Sequence, residues 1–106
     1  MTEARRVDLD AVPSEPEAPG IASAAVDVGG VRWAVVEYEP GVLREAFCEE
    51  GHSGYLLSGE ITYEFADGAR PLRVQAGQGF TLPDGDPHRG RAGAAGARLF
   101  LIDRAG

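Results

Sequence analysis

Turn-forming residues interrupt the sequence so regularly after residue 20 that no segment holds a long helical period. Short runs rich in β-branched and aromatic residues alternate with turn residues, and the 106-residue chain contains 15 glycines. Such side chains favour strands, whereas glycine, proline and aspartate favour the turns between them. The runs predicted to be strands are residues 31–38, 42–48, 54–57, 61–65, 72–75, 79–82 and 98–102. Seven or eight strands of about five residues, with turn signals roughly 8–12 residues apart, predict an all-β sandwich or barrel.

The first twenty residues differ from the rest of the chain. They contain Pro13, Pro16 and Pro19 together with several acidic residues. Because proline lacks an N–H donor and disfavours helix at the residue before it, this stretch is predicted to be extended. We therefore expect residues 1–20 to form an extended or disordered acidic arm and residues 21–106 to form one barrel domain. The arm is either exposed to solvent or laid across a partner subunit.

Charge and composition exclude several classes of function. Ten basic and 17 acidic residues give a net charge of −7. Proteins that bind nucleic acid or anionic membranes need clustered cations, so neither partner is expected. No apolar run reaches the roughly 18 residues of a membrane span, and the N-terminus lacks the apolar core of a secretory signal. A single cysteine permits no intrachain disulfide, which is typical of a cytoplasmic protein.

Three residues could bind a metal ion. Cys48 and His52 are four residues apart, and because strand side chains alternate, an even separation can place both on one face. His88 follows 36 residues later, after a turn-rich segment. One thiolate and two imidazoles suit a divalent ion such as zinc, iron, nickel or copper and leave a position open for water or substrate. The alternative is a buried cysteine with two hydrogen-bonded structural histidines.

Other side chains are candidates for a ligand pocket. An arginine at a barrel mouth can bind a substrate carboxylate through two parallel hydrogen bonds, although an exposed arginine at a strand edge is the alternative. Large apolar residues in the predicted strands could shape the pocket around a small organic acid or aromatic compound, or they could simply pack in the core. The candidates are Trp33, Arg44, Leu56, Phe80, Leu82 and Arg91.

Two segments carry a resemblance to a known family. Residues 77–88 read GQGFTLPDGDPH and resemble the second motif of the cupins, G-x5-P-x-G-x2-H, at every defining position. Residues 52–59 read HSGYLLSG and resemble the end of the first cupin motif, which closes on a glycine. The intervening residues 60–76 have a fitting length for the hairpin between the motifs. The resemblance covers residues 31–102 and implies a double-stranded β-helix, a jelly-roll-like barrel.

The resemblance also implies a metal site, with substitutions. Cupins usually hold a divalent metal with two histidines and a glutamate of the first motif and the histidine of the second. By position, His88 matches its family ligand, whereas His52 stands where the glutamate is expected. With the shorter motif spacing, Cys48 takes the place of the second histidine and Ala46 that of the first. Ala92 stands at the family's terminal asparagine. A Cys48, His52, His88 site would favour softer metals than the usual set.

The sequence is compatible with three functions. The chain resembles small stand-alone cupins that mostly lack an assigned activity. The first function is binding of a small organic molecule in the barrel, with a metal that assists chemistry of undetermined type. The second is a metal-free ligand-binding or sensory module. The third is a dimeric structural or interaction domain without catalysis. A homodimer is expected with all three, because a small open barrel has sheet edges that need covering.

Overall fold

Antiparallel strands dominate the structure, a computed structural model that describes residues 4–104. Residues 1–3 of the predicted arm and residues 105–106 of the predicted barrel domain lie outside the described residues. A short 3-10 helix (Leu9–Ala11) precedes the sheet. The strands are β1 (Glu15–Ala18), β2 (Ile21–Val28), β3 (Val31–Tyr38), β4 (His52–Phe65), β5 (Leu72–Gln75), β6 (Gly79–Leu82) and β7 (His88–Arg104). The all-β prediction is confirmed.

Two long strands organise the barrel. The strand order is β1-β2-β3-β7-β4-β5, and β6 also pairs with β4. β4 and β7 pair along most of their length, while β5 and β6 bind successive parts of the other edge of β4. On its other edge, β7 binds β3 through its C-terminal half and the β3–β4 loop through its N-terminal end. The sheet therefore curls around a shared interior, in the manner of a jelly roll.

Several predicted strands coincide with observed ones, and others are longer than predicted. Residues 31–38, 72–75 and 79–82 form β3, β5 and β6. Residues 54–57 and 61–65 belong to one strand, β4, because the segment between them forms two register irregularities rather than a chain-reversing turn. Residues 98–102 are part of the longer β7.

The prediction of a regular strand at residues 42–48 is wrong. This segment lies along β7 but forms only isolated bridges, at Leu43 with Arg91 and at Cys48 with His88. Five residue steps on the loop side span three steps on β7, so the ladder cannot stay in register. The extra residues make the segment irregular while it remains extended enough to reach across the barrel.

The part of the predicted arm that the structure describes packs on its own barrel. β1 pairs with β2, with a register irregularity between Pro16 and Ala18. β1 lies at the edge of the sheet, next to β2. β1 of the arm is thus the outermost strand of the sheet on that side.

One face of the curled sheet forms the core. In β3 the even-numbered residues Ala34, Val36 and Tyr38 are buried, whereas the odd-numbered ones are more exposed. Leu56, Ile61 and Leu99 are the largest fully buried side chains, and they bring β4 and β7 into the same cluster. Among the described residues, no helix has the length and apolarity to cross a membrane.

Candidate metal centre and adjoining cavity

Backbone pairing brings the three predicted ligands together at one end of the barrel. Cys48 and His88 exchange two backbone hydrogen bonds, of 2.7 and 2.9 Å, which fix the β3–β4 loop against the first residue of β7. His52 is the first residue of β4 and faces the same interior. The three ligand atoms, the thiol sulfur and one nitrogen of each imidazole, lie within 4.8 Å of one another.

The separation of these atoms is close to that around a metal ion. Cys48 Sγ lies 3.9 Å from His52 Nε2. Bonds of about 2.3 Å to sulfur and 2.0 Å to nitrogen, arranged tetrahedrally around zinc, place such a pair about 3.5 Å apart. The rings of His52 and His88 meet edge to face at a centroid distance of 5.3 Å. The two imidazoles and the thiol therefore border one small space.

His88 presents an unused nitrogen to that space. Its Nδ1 donates a hydrogen bond to the Asp86 carbonyl oxygen at 3.0 Å, so in the neutral ring Nε2 carries a lone pair. His88 is only 2% exposed, and Nε2 has no hydrogen-bond partner in the described part of the chain. Burial lowers the pKa of His88 and His52 lowers it further, while the Asp86 carbonyl acts in the opposite direction. The ring is thus held in the neutral form that binds metals.

His52 is oriented by a carboxylate. Its Nδ1 lies 2.8 Å from Asp103 Oδ2, and both side chains are largely buried. An ionised carboxylate can only accept, so Nδ1 carries the proton and Nε2 faces the Cys48 thiol with its lone pair. Histidines that bind metals almost always donate their other N–H to a carboxylate or a carbonyl oxygen. Both histidines here follow that pattern.

The residues present therefore fit a divalent metal ion. The decisive feature is the orphaned Nε2 of His88, because leaving a buried polar atom unpaired costs about 1–3 kcal/mol. A thiolate and two imidazoles are a donor set for zinc and related ions, with at least one position left open.

A cavity of about 280 Å³ adjoins this cluster inside the barrel. Its volume equals that of roughly nine liquid water molecules at about 30 Å³ each. Burial, and to a lesser degree Tyr38, raises the pKa of Tyr63, so its hydroxyl stays protonated as a hydrogen-bond donor. The walls combine apolar and polar residues, including Ala34, Val36, Tyr38, Arg44, Tyr63, Leu99, Leu101 and Asp103.

Arg44 brings a positive charge to the cavity wall. Its Nη2 donates to Glu17 Oε2 at 2.7 Å, and its Nε donates to the Tyr38 hydroxyl at 3.3 Å. Burial lowers the pKa of Arg44, but the hydrogen bonds to Tyr38 and Glu17 outweigh it and hold the pKa above its ordinary value. The guanidinium is fully charged beside the candidate metal centre's cavity.

The other predicted pocket residues lie outside the lining of this cavity. Arg91 is half-exposed and pairs with Glu64 on the surface. Trp33 lies on the opposite face of β3 from the cavity-lining residues and packs against Phe100. The remaining three are buried core residues: Leu56, Phe80 and Leu82.

Sequence reasoning missed the carboxylate and the hydroxyls of the site. Asp103 shares the inward-facing parity of Leu99 and Leu101 at the end of β7, and an acidic residue at such a position is a detectable signal. Tyr63 lies in the predicted strand 61–65 and is buried in the core, and it also borders the cavity.

Comparison with known proteins finds similarity at the level of structure. No family model and no curated protein matches the sequence. The structure of a Bacillus subtilis oxalate decarboxylase mutant superposes with a TM-score of 0.82 at 20% identity, covering 100% of this chain and 30% of that one. The polyketide cyclase RemF from Streptomyces resistomycificus gives 0.80 at 22% identity, covering 98% and 81%. This chain thus spans less than a third of the decarboxylase's length. The barrel described above has the cupin fold, as its two motifs predicted.

Proposed function

We propose that this protein holds a divalent metal ion between Cys48, His52 and His88 and binds a small organic molecule in the adjoining cavity. The observation that carries the proposal is the convergence of three ligand atoms within 4.8 Å, one of them a buried nitrogen without a hydrogen-bond partner among residues 4–104. The Nδ1 hydrogen bonds of both histidines leave Nε2 available on each ring. If hydrogen bonds among the three side chains were their structural role, Nε2 of His88 would have a partner.

The donor set favours a borderline or soft ion. Thiolate ligands select against magnesium and manganese and suit zinc, iron, nickel or copper. One structural relative is described by its Mn(II) centres, so this chain's cysteine would distinguish its metal preference from that protein's. A metal with an open position acts as a Lewis acid that polarises a ligand oxygen. The chain's own contribution is to orient the ligand with Arg44 and Tyr63, which both line the cavity.

The cavity supports a ligand of modest size. Both structural relatives named above act on organic molecules, oxalate in one case and a polyketide in the other, by their names. The roughly 280 Å³ here admits a molecule of about ten non-hydrogen atoms. Of the pocket residues predicted from sequence, Arg44 is retained in this proposal.

Elemental analysis of tag-free protein tests the metal site. We expect about one metal per chain in the parent protein and little in the His88→Ala variant, because a site of three ligands depends on each. Ser53→Ala serves as a control, since Ser53 neighbours His52 but lies outside the ligand cluster. Absence of metal from the parent, even after incubation with zinc, iron, nickel and copper, would retire the metal-binding proposal.

The second candidate is a metal-free ligand-binding or sensory module. It is favoured by the departures from the cupin ligand pattern, in which Ala46 and His52 replace a histidine and the glutamate. In that case His52 and His88 bind the ligand through hydrogen bonds. A rise in melting temperature with an organic ligand and no response to any of the four metals would support this alternative.

We further propose that the protein is a homodimer joined through the outer face of the sheet. Tyr55, Leu57 and Ile102 are exposed there, and Trp33 and Phe100 pack together beside them. The cross-strand pairs of Tyr55 with Phe100 and of Trp33 with Ile102 make this patch continuous. A contiguous exposed apolar patch marks an interaction surface more often than an isolated apolar residue does.

A further inference from the structure

Arg44 has a carboxylate partner from an unexpected place. The arginine belongs to the β3–β4 loop, and its side chain is 28% exposed at the cavity wall. Its closest contact is Glu17, 27 residues earlier in the chain, at 2.7 Å. Glu17 itself borders the cavity. A carboxylate of the protein itself thus occupies the side of the guanidinium that a bound anion would use.

The strand that carries Glu17 is weakly held. β1 has four residues, contains Pro16, and loses its register between Pro16 and Ala18. Of the strands that the structure describes, it pairs with β2 alone, at the edge of the sheet. Such short, irregular edge strands open more easily than central ones, because few buried contacts and hydrogen bonds hold them. Displacing the Glu17 side chain therefore disturbs little of the fold.

The two other arginines of the cavity wall are engaged by carboxylates of β2 and β4. Arg32 binds Asp27 of the neighbouring strand β2 through two hydrogen bonds. Arg89 binds Glu64 of β4 and also the Glu45 carbonyl oxygen. Among the arginines that border the cavity, Arg44 is thus the one whose carboxylate comes from the terminal strand.

We propose that the cavity binds a small organic carboxylate whose carboxyl group takes the place of Glu17 on Arg44. This inference rests on the ligand-binding part of the proposed function and is independent of the metal. A half-buried guanidinium requires an anionic partner, and its planar fork matches a carboxylate. Glu17 marks where that carboxylate sits, and the Tyr38 hydroxyl holds the guanidinium from the other side. Glu17 is then an internal competitor that sets the affinity for the ligand.

The size and lining of the cavity narrow the ligand further. About 280 Å³ excludes large acids, and the wall beyond Arg44 is partly apolar, with Val36, Leu99 and Leu101. A carboxylate on a compact apolar body fits both features. The Tyr63 hydroxyl is a hydrogen-bond donor on the same cavity and suits a second oxygen on the ligand.

Calorimetric titration of the full chain tests the proposal. The probes are acetate, butyrate and benzoate, each compared with its neutral amide. We expect Glu17→Gln to bind at least one of the acids about tenfold more tightly than the parent, because a charge-assisted hydrogen bond no longer competes for Arg44. Glu15→Gln is the matched control, since Glu15 lies on the same strand but is absent from the cavity wall. The amides should bind weakly to every variant.

Variants of Arg44 complete the experiment. Arg44→Gln should abolish acid binding, and Arg44→Lys, which keeps the charge but loses the fork, should weaken it. Acid binding that is unchanged in both Glu17→Gln and Arg44→Gln, or absent from the parent and Glu17→Gln alike, would overturn the proposal. Titrations with chelator-treated and zinc-loaded protein separate the carboxylate site at Arg44 from the proposed metal site. Arg44-dependent binding without any metal uptake would sustain this inference while refuting the metal site.

Discussion

At the scale of single residues, two hydrogen bonds determine what the histidines can do. Nδ1 of His52 is engaged by Asp103, and Nδ1 of His88 by the Asp86 carbonyl. Each bond selects the tautomer that frees Nε2. The two anchors differ in kind, because Asp103 offers a side-chain carboxylate whereas Asp86 offers a backbone carbonyl oxygen. Only the Asp103 anchor can therefore be removed by a substitution.

Substituting Asp103 should weaken metal binding without removing a ligand. We expect Asp103→Ala to bind zinc about 10–100-fold more weakly than the parent, as is usual when a carboxylate behind a ligating histidine is lost. Asp103→Asn keeps an acceptor for the Nδ1–H, so its zinc affinity should lie between those of the parent and Asp103→Ala. Competition titration against a zinc chelator measures the affinities. The thiolate-to-metal charge-transfer band of cobalt-substituted protein should persist in both variants, because Cys48 is untouched.

An exposed aspartate provides the control for this series. Asp67 lies in the β4–β5 turn and accepts a hydrogen bond from the Ala69 amide, far from the ligand cluster in sequence. Asp67→Asn should bind zinc like the parent. Equal zinc affinity in the parent and Asp103→Ala would show that Asp103 does not position His52 for a metal.

At the scale of elements, the bend of the two long strands shapes the barrel. Gly59 in β4 and Gly96 in β7 both have positive φ, 77° and 80°. A Cβ on Gly59 would overlap the carbonyl oxygen of Gly96, so the two backbones touch at the bend. Two register irregularities of β4 flank the same point. Bending here lets one pair of strands supply both sides of the interior.

Alanine at this bend should be strongly destabilising. We expect Gly59→Ala to lower the free energy of unfolding by roughly 3 kcal/mol or more, from the positive φ combined with the backbone overlap. Gly68→Ala measures the cost of the positive φ alone, because Gly68 has φ of 80° and open space around it. We expect Gly68→Ala to lower the free energy of unfolding by about 1–2 kcal/mol. Urea denaturation of both variants measures the difference. Similar losses in the two variants would contradict the close approach.

The β3–β4 loop is held in place by hydrogen bonds to β7, although it forms no regular strand. Its hydrogen bonds to β7 include that of the Arg44 amide to the Gly90 carbonyl oxygen and the paired bonds of Cys48 and His88. These attachments place Arg44 and Cys48 on the same cavity wall. The candidate metal centre and the candidate carboxylate site are thus carried by one loop.

At the scale of the whole molecule, the inner and outer faces of the sheet have different roles. The inner face carries the core, the cavity and the candidate ligands. The outer face carries the aromatic pair Trp33 and Phe100, with Tyr55 and Ile102 exposed beside them. Trp33, which the sequence predicted to line the pocket, lies on this outer face and belongs to the proposed dimer interface.

A charge on the outer face should separate the subunits of a homodimer. We expect Ile102→Asp to sediment as a monomer at concentrations where the parent is a dimer, because an unpaired carboxylate cannot be buried in an apolar interface. Leu72→Asp is the matched control, since Leu72 is 37% exposed, close to the 36% of Ile102, but lies on β5. Sedimentation velocity measures both. A monomeric parent, or a dimer that survives Ile102→Asp, would exclude this interface.

The sequence alone determined the all-β class, most of the strands and the identity of the candidate ligands. Alternation within one uninterrupted strand is a local property, so β3, with Ala34, Val36 and Tyr38 on one face, could be predicted from its residues. The motif around Pro83 and Gly85 likewise fixed His88 relative to its turn. Both signals depend only on neighbouring residues along the chain.

Only the tertiary structure decided which side chains share the interior. On β4, even-numbered His52 and odd-numbered Tyr63 both border the cavity, and on β7 even-numbered His88 and odd-numbered Asp103 do. The parity changes because each strand carries an odd number of extra residues at the irregularities near Gly59, one on β4 and three on β7. An odd excess reverses the face of every following side chain. Such a shift is set by packing across the barrel, which no local pattern records. The contact between Glu17 and Arg44 is of the same kind, because it depends on where the terminal strand docks.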